Sequence, residues 1–189
     1  ENLALAHEHM LASKKVASAD PNWYETTAHI KKGLGEDYAS FNSFIDEGLD
    51  KFPDYYQLYF ATIDYLAPKW HGNKREIEQF ANEAVKRTKN IDGMAMYARI
   101  YWYASQTQYD EKLFTASDVI WEKMRTGIFD VLKDYPDSWN IQNFAHFSCL
   151  AKDRDTTRVL LEKMTEPMLM PVWKTPDNFN RCRKFADSA

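Results

Sequence analysis

His7-Glu8-His9 sets two imidazoles around a carboxylate, the donor types a zinc site uses, and is the first place to look for chemistry in this chain. On a helix, residues two apart project about 200° from one another, so these rings cannot close on one ion. His29, His71 and His146 fall in separate segments, and Cys149 and Cys182 stand 33 residues apart, so neither set forms a ligand cluster and no metal or cofactor is implied. The chain has no glycine-rich phosphate loop, no Gly-x-Ser-x-Gly elbow and no His-Glu-x-x-His helix. The acid pairs Asp46-Glu47 and Asp110-Glu111 read as solvated faces, because adjacent helical positions diverge. With no catalytic set to position, binding is the better expectation, and aromatic residues, at 15% of the chain, are the excess that could serve it. Most must be core, where each large ring buries ~150–250 Å².

The elements that would position them are helical. Asn2 to Ser18 is alanine-rich with a weak apolar stripe; Asp20 caps a helix opened by Pro21 and ended at Gly33 and Gly35. Tyr38, Phe41, Ile45, Leu49 and Phe52 recur at three- and four-residue spacing until Pro53. Asp54 with Gln57, and Asn73 with Glu76, predict reciprocal caps, the second before the stripe Ile77, Phe80, Ala81, Ala84 and Val85. Between them Pro68 to Gly72 reads as a tight connection pinned by the ring of Trp70. Asp92 or Gly93 is expected to start a helix through Tyr101. A polar insertion near Gln106 to Thr115 follows, then helices from Ser117 to Lys133, after Asp137, after Asp153 and after Thr175-Pro176.

Two of these helices are entered by a Pro-Asp-x-aromatic element, Pro53-Asp54-Tyr55-Tyr56 and Pro136-Asp137-Ser138-Trp139, which marks a helical repeat. The steps from Trp23 to Tyr56, from Asp54 to Asp92 and from Asp92 to Asp137, 33, 38 and 45 residues, bracket a period of about 34 without keeping it. Few Gly and Pro occur away from helix boundaries and no Ser/Gly-rich linker is present, so residues 1–189 read as one helical-repeat domain. The chain starts at Glu1 rather than a methionine, as a processed protein or a fragment of a longer one would. A net charge of −4 and the absence of a basic stripe argue against nucleic acid as partner. The most apolar run, Met94 to Ala104, is broken by Arg99 and falls short of the ~20 residues a membrane span needs.

From about Asp20 to Ala186 the chain resembles a bacterial family of tetratricopeptide-like proteins carrying a domain of unknown function. The resemblance rests on Tyr65-Leu66-Ala67-Pro68-Lys69-Trp70-His71-Gly72-Asn73, Tyr97 to Tyr103, Tyr135 to Asn140 with Asn143-Phe144-Ala145, and Cys149 to Arg154. The family often carries glycine or another small residue where His71 stands. The resemblance implies an all-α fold of antiparallel helix pairs stacked as a tetratricopeptide-like right-handed array, and it supplies no established activity or catalytic residues.

In such pairs a small residue of the first helix permits close packing, and Thr62, Ala98 and Ala145 fit that place. Positions three before and one after would face the concave side: Tyr59 and Ile63, Ala95 and Arg99, Gln142 and His146. Tyr56, Trp102 and Trp139 would stand near the rims. Tyr59, Arg99, Gln142, His146, Trp102 and Trp139 are therefore the candidate binding residues for an extended peptide.

The leading expectation is a non-enzymatic interaction module for a protein or peptide partner, in a periplasmic or envelope-associated setting. The alternatives are a hydrolase-like or carbohydrate-binding protein, with His146 beside a carboxylate in an aromatic groove, and a structural spacer. Cys149 and Cys182 read as buried free thiols or as one disulfide. In either case they should lie close together, because the last helix must cover the open apolar end next to Cys149.

Overall fold

The structure, a computed structural model, describes residues 2–70 and 72–188; His71, singled out above, lies outside them. The described residues form helices and turns with no strand. In chain order the helices are α1 Asn2–Ala17, α2 Pro21–Leu34, α3 Tyr38–Lys51, α4 Tyr56–Tyr65, α5 Lys74–Asp92 and α6 Ala95–Ala104. They continue as α7 Leu113–Ala116, α8 Trp121–Asp134, α9 Ser138–Leu150, α10 Arg154–Glu162, α11 Met170–Trp173 and α12 Pro176–Asp187. Between α6 and α7 the polar insertion winds as a π turn, Ser105–Tyr109, and a 3₁₀ turn, Asp110–Lys112.

Local capping chemistry sets many of the boundaries. Asp20, Asp137, Asp153 and Thr175 each accept a backbone N–H of the helix they precede, from Asn22, Asn140, Thr156 and Asn178. Asn73 and Glu76 complete their capping box at α5. Other starts differ from the sequence expectation. Asp54 and Gln57 make no cap: Pro53 and Asp54 sit in a turn, Tyr59 donates its hydroxyl to the Pro53 carbonyl at 2.8 Å, and α4 starts after Tyr55 with no side-chain cap. Asp92 ends α5 instead of opening α6, and Gly93 makes the break with φ 65°. The first amide of the new helix is satisfied from another element, as Met94 N–H donates to Asp130 of α8 at 2.8 Å. Ser117 closes α7, and α8 begins only at Trp121, leaving Ile120 exposed at its entry.

A single cluster of buried apolar residues runs from Trp23 to Cys182. α2 packs on α3 and α4, α4 on α6, α6 on α5 and α8, and α9 on α10, α11 and α12. Gly127 lets α8 lie against the start of α6, since a β-carbon there would strike the Met94 carbonyl. At the α5–α6–α8 junction, Glu78 accepts from Tyr97, Tyr101, Lys123 and Asn82 at 2.6–2.9 Å. Those donors hold its carboxyl below the usual carboxylate range although burial, the largest influence, opposes them.

The Trp70 ring does not pin its turn from within: it is 47% exposed, with the Lys32 ammonium 5.3 Å from its centre. The turn is set by backbone approach instead. Trp70 N–H donates to the Ala67 carbonyl at 2.8 Å, and Gly72 lies against the Leu66 backbone where no β-carbon fits.

Cys149 of α9 and Cys182 of α12 are joined by a disulfide with Cα atoms 5.6 Å apart, so the last helix is fastened covalently to α9. The link closes a sequence separation of 33 residues. On loop-closure grounds, removing it with a Cys149→Ala/Cys182→Ala pair should cost about 3–4 kcal/mol. Urea unfolding of wild type and double variant, the wild type with and without reductant, checks this; equal midpoints would show that α12 holds without the bond.

Candidate functional site

The structure separates the six candidate binding residues. Tyr59 and Gln142 are fully buried, His146 is 8% exposed, and the Arg99 side chain keeps 18% of its surface. Trp102 is half-buried and Trp139 is 43% exposed. The expected open concave face shared by Tyr59, Arg99, Gln142 and His146 is therefore not present. The register itself is informative, since Thr62, Ala98 and Ala145 are all at 0% exposure, as small packing positions should be.

Two irregular segments cover that face. The π turn lies over α4, with Gln108 donating its amide to the Ile63 carbonyl at 3.2 Å. Residues 167–173 lie over α9, where Gln142 forms four hydrogen bonds. Its Nε2 donates to Ser138 Oγ at 3.1 Å and the Pro167 carbonyl at 2.9 Å, while its Oε1 accepts from Leu169 N–H at 2.8 Å and Trp173 Nε1–H at 3.0 Å. Gln142 is thus a structural anchor with its full amide capacity used.

Arg99 is held differently. Its guanidinium carbon lies 4.8 Å from the centre of the Tyr56 ring and 5.4 Å from that of Tyr135, so the cation is in contact with two aromatic rings. Asp92 stands 3.8 Å from Arg99 Nε, too far for a hydrogen bond, and Nε is buried without a partner. Asp92 Oδ2 accepts the Tyr56 hydroxyl at 3.0 Å, whereas Oδ1 has no partner. Burial raises the Asp92 carboxyl despite Tyr56 and Arg99, and burial followed by the Asp92 charge pushes the Tyr56 phenol up to about 12. The guanidinium is fixed by rings rather than neutralised by a tight salt bridge. Tyr135, which is 53% exposed, and Asp92 are participants that the sequence reading missed. Asp92 ends α5 and Arg99 lies in α6 beyond the break at Gly93, so no single-helix spacing signalled their approach.

One turn along α6 from Arg99, Trp102 enters a second feature, and four residues past Tyr135, Trp139 enters the same one. This cleft of about 120 Å³ is walled by Trp102, Trp139, Asn143, His146, Pro171 and Lys174. Asp110 and Glu111 stand at its edge, exposed to solvent as their sequence suggested and 2.6 and 3.7 Å from the Lys174 ammonium. His146 rests against Trp173 at 5.1 Å, and its Nε2 is buried without a hydrogen-bond partner. Burial, more than the surrounding charges of Glu111, Lys174, Arg181 and Asp110, pushes the imidazole below its ordinary value of 6.5. A larger cavity of about 460 Å³ lies between α10 and α12, but the Arg158 guanidinium that borders it donates to the Ala186 carbonyl.

No known family, curated protein or solved structure matches this chain. Its site is therefore read from its own geometry. Among the described residues no three His, Cys, Asp or Glu side chains are grouped to hold a metal ion, and no helix is long and apolar enough to cross a membrane.

Gln142→Leu strands two N–H donors and a carbonyl that the native amide satisfies, so it should destabilise the protein by about 2–4 kcal/mol in urea unfolding. A loss under about 1 kcal/mol would mean residues 167–173 dock without it. For His146, the unfolded state binds a proton that the native imidazole resists. Stability should therefore be fully present above the ordinary value of 6.5 and decline as pH falls below it. In unfolding at pH 7.5 and 5.5, His146→Gln should show a smaller acid loss than wild type; equal losses would assign the slope elsewhere.

Proposed function

We propose that this protein is a non-enzymatic interaction module that grips an extended, carboxylate-bearing peptide segment, with Arg99 as the ionic anchor. The observation that carries this reading is the packing of the Arg99 guanidinium against the rings of Tyr56 and Tyr135. Side-chain entropy is the usual cost of an arginine contact, and here the rings reduce it by fixing the guanidinium plane before a ligand arrives. A guanidinium packed on a ring keeps N–H groups for a ligand, and a carboxylate engages such groups with two parallel hydrogen bonds. Trp102 and Trp139 continue the aromatic surface for the following residues. In this reading the stacking of α2 on α4 and α4 on α6 belongs to a tetratricopeptide-like right-handed array of the resembled family, and supports it. The disulfide favours an exported, envelope-associated setting.

The exposed rings of Tyr135 and Trp139 argue against a pure spacer. His146 has no carboxylate partner at Nε2 to orient it as a base, which favours binding over hydrolysis. A displayed library of peptides with free C-termini and internal acidic residues tests the proposal. Wild type should enrich carboxylate-bearing sequences, and Arg99→Ala should bind them about 10- to 150-fold more weakly, as for a hydrogen bond to a charged group worth about 1.5–3 kcal/mol, with unchanged helical circular dichroism. Equal enrichment by a folded Arg99→Ala protein would remove Arg99 as the anchor.

A further inference from the structure

Three separate irregularities converge on the small cleft beside Trp102 and Trp139. The first is the π turn Ser105–Tyr109, a rare geometry that recurs at binding sites. The second is backbone strain: Asp110 and Lys174, with φ of 49° and 61°, are non-glycine residues in the left-handed region, and their side chains are ion-paired to each other across the cleft edge at 2.6 Å. The third is His146, more than nine-tenths buried in the cleft wall with an unpartnered Nε2. A buried polar atom left unpaired costs free energy, so its retention at a cleft lined by rings points to an occupant that pairs with it.

We propose that this cleft is a specificity pocket for a neutral, hydroxyl-bearing aromatic side chain, the phenol of a tyrosine in the bound peptide, with Trp102 and Trp139 taking the ring and His146 the hydroxyl. This deepens the peptide-binding reading and rests on it for the source of the side chain. The chemistry selects the occupant in three steps. A volume of about 120 Å³ suits one side chain rather than a folded element. At the exposed edge Asp110 and Glu111 stand against Lys174 alone, a net charge of −1 that disfavours an anionic occupant. A hydroxyl both donates and accepts, so it satisfies the imidazole nitrogen in either tautomer, which a purely apolar side chain cannot do.

The test titrates wild type and His146→Phe, which keeps an aromatic ring in the wall, with N-acetyl-tyrosine amide, N-acetyl-phenylalanine amide and methyl glucoside, read by tryptophan fluorescence and by the imidazole NMR signals. The tyrosine amide should bind wild type about 3- to 10-fold more tightly than the phenylalanine amide, the range for one neutral hydrogen bond, and His146→Phe should abolish that preference. Neither probe carries a carboxylate, so Arg99→Ala should leave the preference intact, which separates failure of the pocket from failure of the ionic anchor. Equal binding of the two amides, no binding of either, or preferential saturation by methyl glucoside would each overturn the proposal. Should His146→Phe not fold, Trp139→Ala supplies the second arm: its exposed ring can be removed with little strain, and tyrosine-amide binding should fall several-fold. Unchanged binding by that variant would also overturn the proposal.

Discussion

The amide of Gln142 is the interaction on which the functional end of this protein depends. Four hydrogen bonds from one fully buried side chain hold residues 167–173 against α9. That segment has little regular structure, so its backbone groups must find partners elsewhere, and a primary amide with two donors and two acceptor lone pairs is suited to supply them. With the segment docked, Pro171 and Lys174 become the wall facing Trp102 and Trp139, and Trp173 becomes the fully buried ring against His146. Without it, the same α9 face would be an open apolar surface with no cleft.

The helices were legible from the sequence because their signals are local. Apolar spacing and short-range caps at Asp20, Asn73, Asp137, Asp153 and Thr175 act within a turn or two and do not depend on the rest of the chain. The failures arise where another contact, near or distant in the chain, outcompetes the local signal. Asp54 has the right residue type for a cap, but the Pro53 carbonyl is taken by Tyr59 and the helix starts later. Met94 is capped by Asp130, 36 residues away, which no local pattern could show. Trp70 reads as core by its size and its Pro-Gly frame, yet the frame closes through the Leu66 backbone and leaves the ring outside.

The candidate site was legible in part, and the part missed could have been found. Gln142, His146 and Cys149 are spaced four and three residues apart, so they share one face of a helix. An expectation that the last helix covers Cys149 was at odds with an expectation that Gln142 and His146 face open solvent. The structure resolves the conflict in favour of coverage, with the disulfide and the Gln142 amide two turns apart on α9, both holding C-terminal chain. Arg99 projects from α6 towards Tyr56 and Tyr135 and keeps 18% of its side-chain surface.

The two features left open have opposite electrostatic characters, and this sets what one ligand must look like to use both. At Arg99 a cation stands against two rings, with its Asp92 ion-pair partner 3.8 Å away and beyond hydrogen-bond reach. In the cleft, burial favours the neutral form of His146, and Asp110 and Glu111 against Lys174 leave the edge with a net charge of −1. Since Trp102 follows Arg99 by one turn of α6, roughly 5 Å of rise separates the two along the helix. An extended chain covers that distance in about two residues. A ligand engaging both features must then place a carboxylate and a neutral aromatic side chain within two or three residues of each other, a requirement that follows from the helix pitch and the charge distribution alone.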